Sequence, residues 1–137
     1  MKESLKILSI KSDKTELRKV EYFLTEIFIE NKLPLQCFNK VLLCISEAVV
    51  NSIDHGNQND QLKHVNIEID FSKQKQMDIK ISDEGSGFDY STIKDPTCDD
   101  NIRKETGRGI HIIRALSDEL EFGNKGNSVR FKLSVSE

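Results

Sequence analysis

Four side chains with chemistry of their own, Glu47, Asn51, Asp54 and His55, fall inside the apolar, helix-forming run ISEAVVNSIDHGNQ at residues 45–58. Counted from Glu47, the others follow at four, seven and eight residues, offsets that share one side of a helix. Ile45, Ala48, Val49 and Ile53 lie mostly on another side, so one face suits a core and a second face suits a ligand. Glu47 and Asn51 can converge on one small ligand, the first with a carboxylate and the second with a neutral carbonyl oxygen. Mg²⁺ accepts oxygens of this kind while keeping several waters and the phosphates of a nucleotide. A carboxylate beside such a metal can act on a hydroxyl or a water. Taken alone the pair also reads as a solvated polar face, and His55 reads as a helix-end or capping residue.

A second stretch, ISDEGSGFD, ends an alternating strand pattern (Ile79, Ile81) in Asp83 and follows it with Gly85 and Gly87. An acid at a strand end can accept hydrogen bonds from an exocyclic amine, and glycines let backbone lie against a flat base. The spacing is no dinucleotide fingerprint, because Tyr90 stands where a third glycine is needed and no helix follows. A tight turn explains the glycines equally well. In the third stretch, ETGRGIHII, Gly107 and Gly109 are expected to stand immediately before a helix. Free N–H groups and the helix dipole there would suit a phosphate, with Arg108, Arg103 and Lys104 adding charge. No GK[ST] follows, so this is no Walker loop, and a glycine-softened hinge is the other reading.

These stretches need elements to position them. LKILSIKS, with Leu5, Ile7 and (after a phase break at Leu8) Ile10, predicts an edge-type strand. Leu17, Val20, Phe23 or Leu24, Ile27 and Phe28 predict an amphipathic helix over residues 14–31, with Ser12 or Asp13 as N-cap and Glu16 as capping-box partner. Pro34 ends that segment, and a second helix is expected from about Gln36 to Asp54, closed by Gly56 as a left-handed cap. Val65, Ile67, Ile69 and Phe71, then Met77, Ile79 and Ile81, predict two hairpin strands joined by SKQKQ. Residues 84–107 carry no sustained periodicity, which suggests a functional loop or lid. Ile110, Ile113 and Leu116 predict a short third helix, and LEFGNKGNSVRFKLSVSE predicts two strands around a GNKGN turn. The order strand, helix, helix, strand, strand, lid, helix, strand, strand implies an α+β two-layer sandwich, a mixed sheet with helices on one face.

Composition narrows the function classes. One domain over residues 1–137 is expected from length. Hydrophobic residues at 36% and charged residues at 31% suit a soluble globular protein. A net charge of −3 with interspersed signs argues against an electrostatic nucleic-acid binder. No apolar run is long enough to span a bilayer, and MKESLKILSI lacks the apolar core of a signal peptide, so a cytoplasmic protein with no membrane attachment is expected. Cys37, Cys44 and Cys98 show no CxxC spacing and read as reduced core thiols.

In combination and order, E-x-x-x-N ending in HG, D-x-G-x-G-F after a strand, a lid, and G-x-G before a helix resemble the Bergerat-type ATPase fold over nearly the whole chain. Gyrase, heat-shock chaperone ATPases, histidine kinases and mismatch-repair ATPases share that fold. The form of EAVVNSIDHG and ETGRGIHIIRALSDELEF is most similar to the small anti-sigma factor serine/threonine kinases of bacterial partner switching. The resemblance implies ATP and Mg²⁺, a mostly antiparallel sheet with three helices on one face, and an ATP lid at about residues 84–109. It implies Glu47 as general base, Asn51 on the magnesium, Asp83 on the adenine amine, and Gly85 and Gly87 framing the base. Gly107, Arg108 and Gly109 would belong to the phosphate lid, and Ser128 would sit near the adenine end. The implied partners are a sigma factor and an anti-sigma factor antagonist that receives the phosphate, with the chain itself a homodimer. Glu105 departs from the pattern, which often carries arginine there. A non-catalytic, ATP-gated binding module is therefore the alternative. A histidine kinase core is not expected, since no helix with a phosphoacceptor histidine precedes the site; gyrase-like ATPases need a further transducing domain.

Overall fold

The computed structural model describes residues 4–73, 75–85, 101–123 and 127–136, with 101–107 described in their backbone alone. Strand β1 (Leu5–Lys11) is followed by helices α1 (Leu17–Glu30) and α2 (Phe38–Asn51). The hairpin β2 (His64–Asp70) and β3 (Gln76–Asp83) comes next, then α3 (Asn101–Leu116) and a second hairpin, β4 (Glu119–Phe122) and β5 (Ser128–Ser134). The strands form one sheet in the order β1-β2-β3-β5-β4, and all four pairings are antiparallel among the described residues, in line with the mostly antiparallel sheet expected.

Alternation builds the inner sheet face. Val65, Ile67, Ile69, Met77, Ile79, Ile81, Val129, Phe131 and Leu133 are buried together with Val20, Leu24, Ile27 and Phe28 of α1. Val41, Ile45, Ala48 and Val49 of α2 and Ile110 and Ile113 of α3 complete the same cluster, which places the three helices on one face. The hydrophobic effect acting on this face supplies most of the driving force for the two-layer arrangement. At the start of the first helical segment Asp13 is the N-cap, its Oδ1 accepting the Thr15 N–H at 2.9 Å. Glu16 reaches back to the Lys11 N–H at 3.4 Å, a looser version of the expected capping box.

Three expectations are corrected by packing. In β1 the inward residues are Leu8 and Ile10, paired with Ile67 and Val65, while Leu5 and Ile7 face outward, Ile7 with 60% exposure. The second helix stops as an α-helix at Asn51 and continues as a wider π turn over Ser52–Gly56, closed by the Asn57 N–H donating to the Ser52 carbonyl at 2.7 Å. Gly56 is therefore not its left-handed cap; the positive φ values fall at Gln58 and Asn59, where the Asn59 N–H bonds the Ile53 carbonyl. Finally, α3 starts at Asn101, so residues 101–109, assigned above to the lid, are helical.

Candidate functional site

Glu47 and Asn51 stand one turn apart on α2, where α3 crosses it. Glu47 is half-buried, and Asn51 is only 5% exposed. The Asn51 amide nitrogen has no hydrogen-bond partner among the described residues. Burying such a group without a partner costs on the order of 1–3 kcal/mol, so this nitrogen adds nothing to the stability of the fold as it stands. Above the pair lies Gly109: a Cβ built there would come within 2.9 Å of Glu47 Oε2 and 3.2 Å of Asn51 Nδ2. Glycine inside a helix costs about 1 kcal/mol relative to alanine, and this close approach is the reason for it here. Gly107 and Gly109 lie within α3 and not before it, so their N–H groups are not those of a helix first turn, contrary to the expectation. Arg108 is exposed.

The π turn changes which residues share a face. Past Asn51 the chain rotates away from ideal α spacing, and Asp54 pairs with Lys14 at 3.1 Å, at the entry to α1. His55 is half-buried in the same turn. Of the four residues on the expected polar face, Glu47 and Asn51 remain together at α3, and Asp54 leaves the set.

The same turn builds the second part of the site. Gly56 faces the Asp83 carboxylate so closely that a Cβ would overlap its Oδ2 and Cγ. Asp83 ends β3 on the inner face with 8% exposure. Its Oδ1 accepts the Gly85 N–H at 2.9 Å, and the Ser52 hydroxyl donates to the same carboxylate. Burial pushes the Asp83 carboxyl above the ordinary carboxylate value, and the Gly85 and Ser52 hydrogen bonds and the nearby Lys63 charge oppose that rise. Gly85 in turn packs on the Gly56 carbonyl, where a side chain would collide with backbone. Gly87 lies outside the described residues, as do the side chains of Arg103, Lys104 and Glu105.

Ser128 does not join Asp83. It pairs with Ser82, an outward position, and its hydroxyl packs over Gly123, bordering an outer-face hollow with Lys80 and Arg130. The register instead brings Asn127 beside Asp83, where its carbonyl accepts the Asp83 N–H at 2.9 Å. Sequence reasoning missed Asn127 and Ser52. The first needs the β3–β5 register, although its signal, two residues before the inward-facing Val129 and so on the same face, is present in the chain.

Among the described residues no cluster of three His, Cys, Asp or Glu side chains is placed to hold a metal. The Asn51 carboxamide fits a different arrangement, in which one neutral oxygen joins nucleotide phosphates and waters around Mg²⁺. Cys37 and Cys44 are free and buried, and burial pushes the Cys44 thiol up to about 11, which makes it unreactive.

A two-layer sandwich carrying an acid and an amide one helical turn apart, a buried strand-end aspartate and a glycine-covered crossing defines a class. The chain belongs to the histidine kinase-like ATPase domain family, whose model matches residues 10–133. Among curated proteins it is similar to the serine-protein kinase RsbW of Staphylococcus aureus, 35% identical over 85 residues, which cover 57% of this chain and 53% of that protein. The chain thus spans about half the length of the curated relatives it matches. In fold it is similar to the RsbU and RsbW domains of a Mycobacterium tuberculosis protein, with a TM-score of 0.61 at 14% identity over 96% of this chain and 32% of that one. A blue-light activated histidine kinase domain from Erythrobacter litoralis gives 0.55 at 16% identity, over 98% of this chain and 65% of that one. Among the described residues no helix is long and apolar enough to cross a membrane.

Proposed function

We propose that the chain is an ATP-dependent serine/threonine protein kinase and anti-sigma factor, acting in the cytoplasm as a homodimer on a sigma factor and its antagonist protein. The observation that carries the reading is the placement of the Asn51 carboxamide beside the Glu47 carboxylate, both under Gly109. In this reading Asp83 accepts a hydrogen bond from the adenine amine, and Gly85 and Gly56 keep the space around its carboxylate free of side chains. Asn51 holds Mg²⁺, which when bound neutralises phosphate charge. Glu47 accepts the proton of the antagonist's serine or threonine hydroxyl, and Gly107, Arg108 and Gly109 border the phosphates. The chemistry asks little of a small domain beyond positioning and electrostatics. The similarity to a serine-protein kinase supports the choice of acceptor.

A non-catalytic, ATP-gated binding module is the second reading, favoured by Glu105 in the position where an arginine is usual. Labelled ATP, magnesium and candidate antagonist proteins separate the two. For a kinase, wild type transfers phosphate and Glu47→Ala transfers roughly 10²–10⁴-fold more slowly while retaining ATP and partner binding. Equal, negligible transfer by both, with normal ATP and partner binding, would establish the binding module.

A further inference from the structure

Asn57 takes no part in the site described above, yet its side chain makes three hydrogen bonds within the fold. It is 1% exposed and closes the π turn after Gly56. Its amide nitrogen donates to Ser12 Oγ at 2.6 Å and to the His64 carbonyl at 2.9 Å. Its amide oxygen accepts the Glu84 N–H at 2.9 Å. Both amide hydrogens and a carbonyl lone pair are thereby engaged. The Ser12 hydroxyl passes its own hydrogen to the Lys63 carbonyl at 2.9 Å. One buried side chain therefore ties together the end of β1, the start of β2 and the residue after β3.

The Glu84 bond is the one that reaches the site. Glu84 stands between Asp83, the buried carboxylate, and Gly85, whose N–H holds that carboxylate at 2.9 Å. On its far side Gly85 rests against the Gly56 carbonyl. The Asp83–Gly85 turn is thus fixed at its middle by Asn57 and at its end by Gly56, the residue immediately before Asn57. Without Asn57 the Glu84 N–H loses this partner; the Glu84 carboxylate still accepts the His64 N–H at 2.8 Å, so the turn stays attached through that side chain while its middle peptide, and with it the aim of the Asp83 carboxylate, can shift.

We infer that Asn57 is a positioning residue for base recognition: through the Glu84 N–H it sets the aim of Asp83 and so the preference for a purine carrying an amine over one carrying a carbonyl at the same place. The inference rests on the reading that Asp83 accepts the adenine amine. A carboxylate held in one direction rewards a donor there and repels a carbonyl oxygen; a loosely held one turns aside and tolerates both.

The test is the ratio of dissociation constants for inosine diphosphate and ADP, measured by calorimetry on the whole chain. Wild type should prefer ADP by roughly ten- to a hundredfold, and Asp83→Asn should abolish the preference. Asn57→Ala should bring the ratio to about threefold or less. Asn57→Asp keeps an oxygen on the Glu84 N–H but sets an acceptor against the His64 carbonyl, so it should lose stability and keep the wild-type ratio. A purely structural Asn57 would lower stability in both variants and change the ratio in neither. Should Asn57→Ala not fold, Asn57→Thr, too short to span to the Glu84 N–H, replaces it with the same expectation. A selective wild type with an equally selective Asn57→Ala or Asn57→Thr overturns the inference alone, as does equal loss of selectivity in Asn57→Asp. A wild-type ratio near one removes the adenine reading and the inference with it.

Discussion

The two ends of the site differ in how far the protein satisfies its own polar groups. Around Asp83, the Gly85 N–H, the Ser52 hydroxyl and the Asn57 clamp on Glu84 form a set fixed within the fold. Around Glu47, one turn of α2 presents a carboxylate and an amide whose nitrogen has no partner among the described residues. In the proposed reading the first end is built in advance for a neutral, flat group with a fixed hydrogen-bond pattern. In the same reading the second leaves its polar groups to charged phosphates and a metal that bring their own coordination. Preorganisation belongs where recognition is geometric, and open polar groups belong where the ligand supplies the charge.

Gly56→Ala should blur this difference most. Its methyl would overlap the Asp83 carboxylate, which is buried and held by two hydrogen bonds and so has nowhere to move. A stability loss of about 1–3 kcal/mol and loss of ADP binding are expected, read by denaturant unfolding and calorimetry. Near-normal ADP affinity would mean that the carboxylate end is not rigid. Gly109→Ala attacks the other end and should behave differently. Its methyl meets the tip of Glu47, a flexible side chain that can turn away, and alanine suits a helix interior better than glycine by about 1 kcal/mol. Stability should hold or rise, while phosphoryl transfer falls by roughly tenfold as Glu47 is displaced. A large loss of stability would show that the α2–α3 crossing is a packing contact and no part of the chemistry.

The smallest effect concerns pH. Burial raises the folded-state pKa of Asp83 above the ordinary value it keeps in the unfolded chain. The native state therefore holds a proton that the unfolded chain has already released. The stabilisation linked to that proton is fully present below the ordinary carboxylate value and is lost as pH rises through the raised one. Across that window the melting temperature of the nucleotide-free wild type should fall relative to that of Asp83→Asn, because the opposite contributions of Asp13 and Glu16 are common to both proteins. Parallel curves for the two proteins would remove the burial penalty from the account.

What the chain revealed in advance was local. Glu47 and Asn51 follow from four-residue spacing, and Asp83 follows from a strand pattern that ends in an acid. The misses depend on partners far along the chain. Leu5, Ile7, Leu8 and Ile10 supply apolar side chains of both parities, and only pairing with β2 chooses Leu8 and Ile10 for the core. Gly56 looks like a helix cap until the Asp83 carboxylate is found beside it. Asn57 finds its partners 45, 27 and 7 residues away, at the ends of three strands that no single window of sequence contains. Residues 101–108 carry no apolar stripe, so the early start of α3 left no periodic signal. The exchange of Ser128 for Asn127 turns on a one-residue parity that only the β3–β5 register fixes.

The division of labour between the two ends is tested most directly by titrating ADP into Asp83→Asn and Glu47→Ala side by side, with wild type as reference. Asp83→Asn replaces an acceptor-only group with one that can present a donor to the adenine amine, and should lose about 1–3 kcal/mol of binding free energy. Glu47→Ala should bind ADP as wild type does, because its carboxylate acts on the acceptor hydroxyl and not on the bound nucleotide. Wild-type affinity in a folded Asp83→Asn, or a loss in Glu47→Ala as large as that expected for Asp83→Asn, would contradict the assignment of base recognition to one end and phosphoryl transfer to the other.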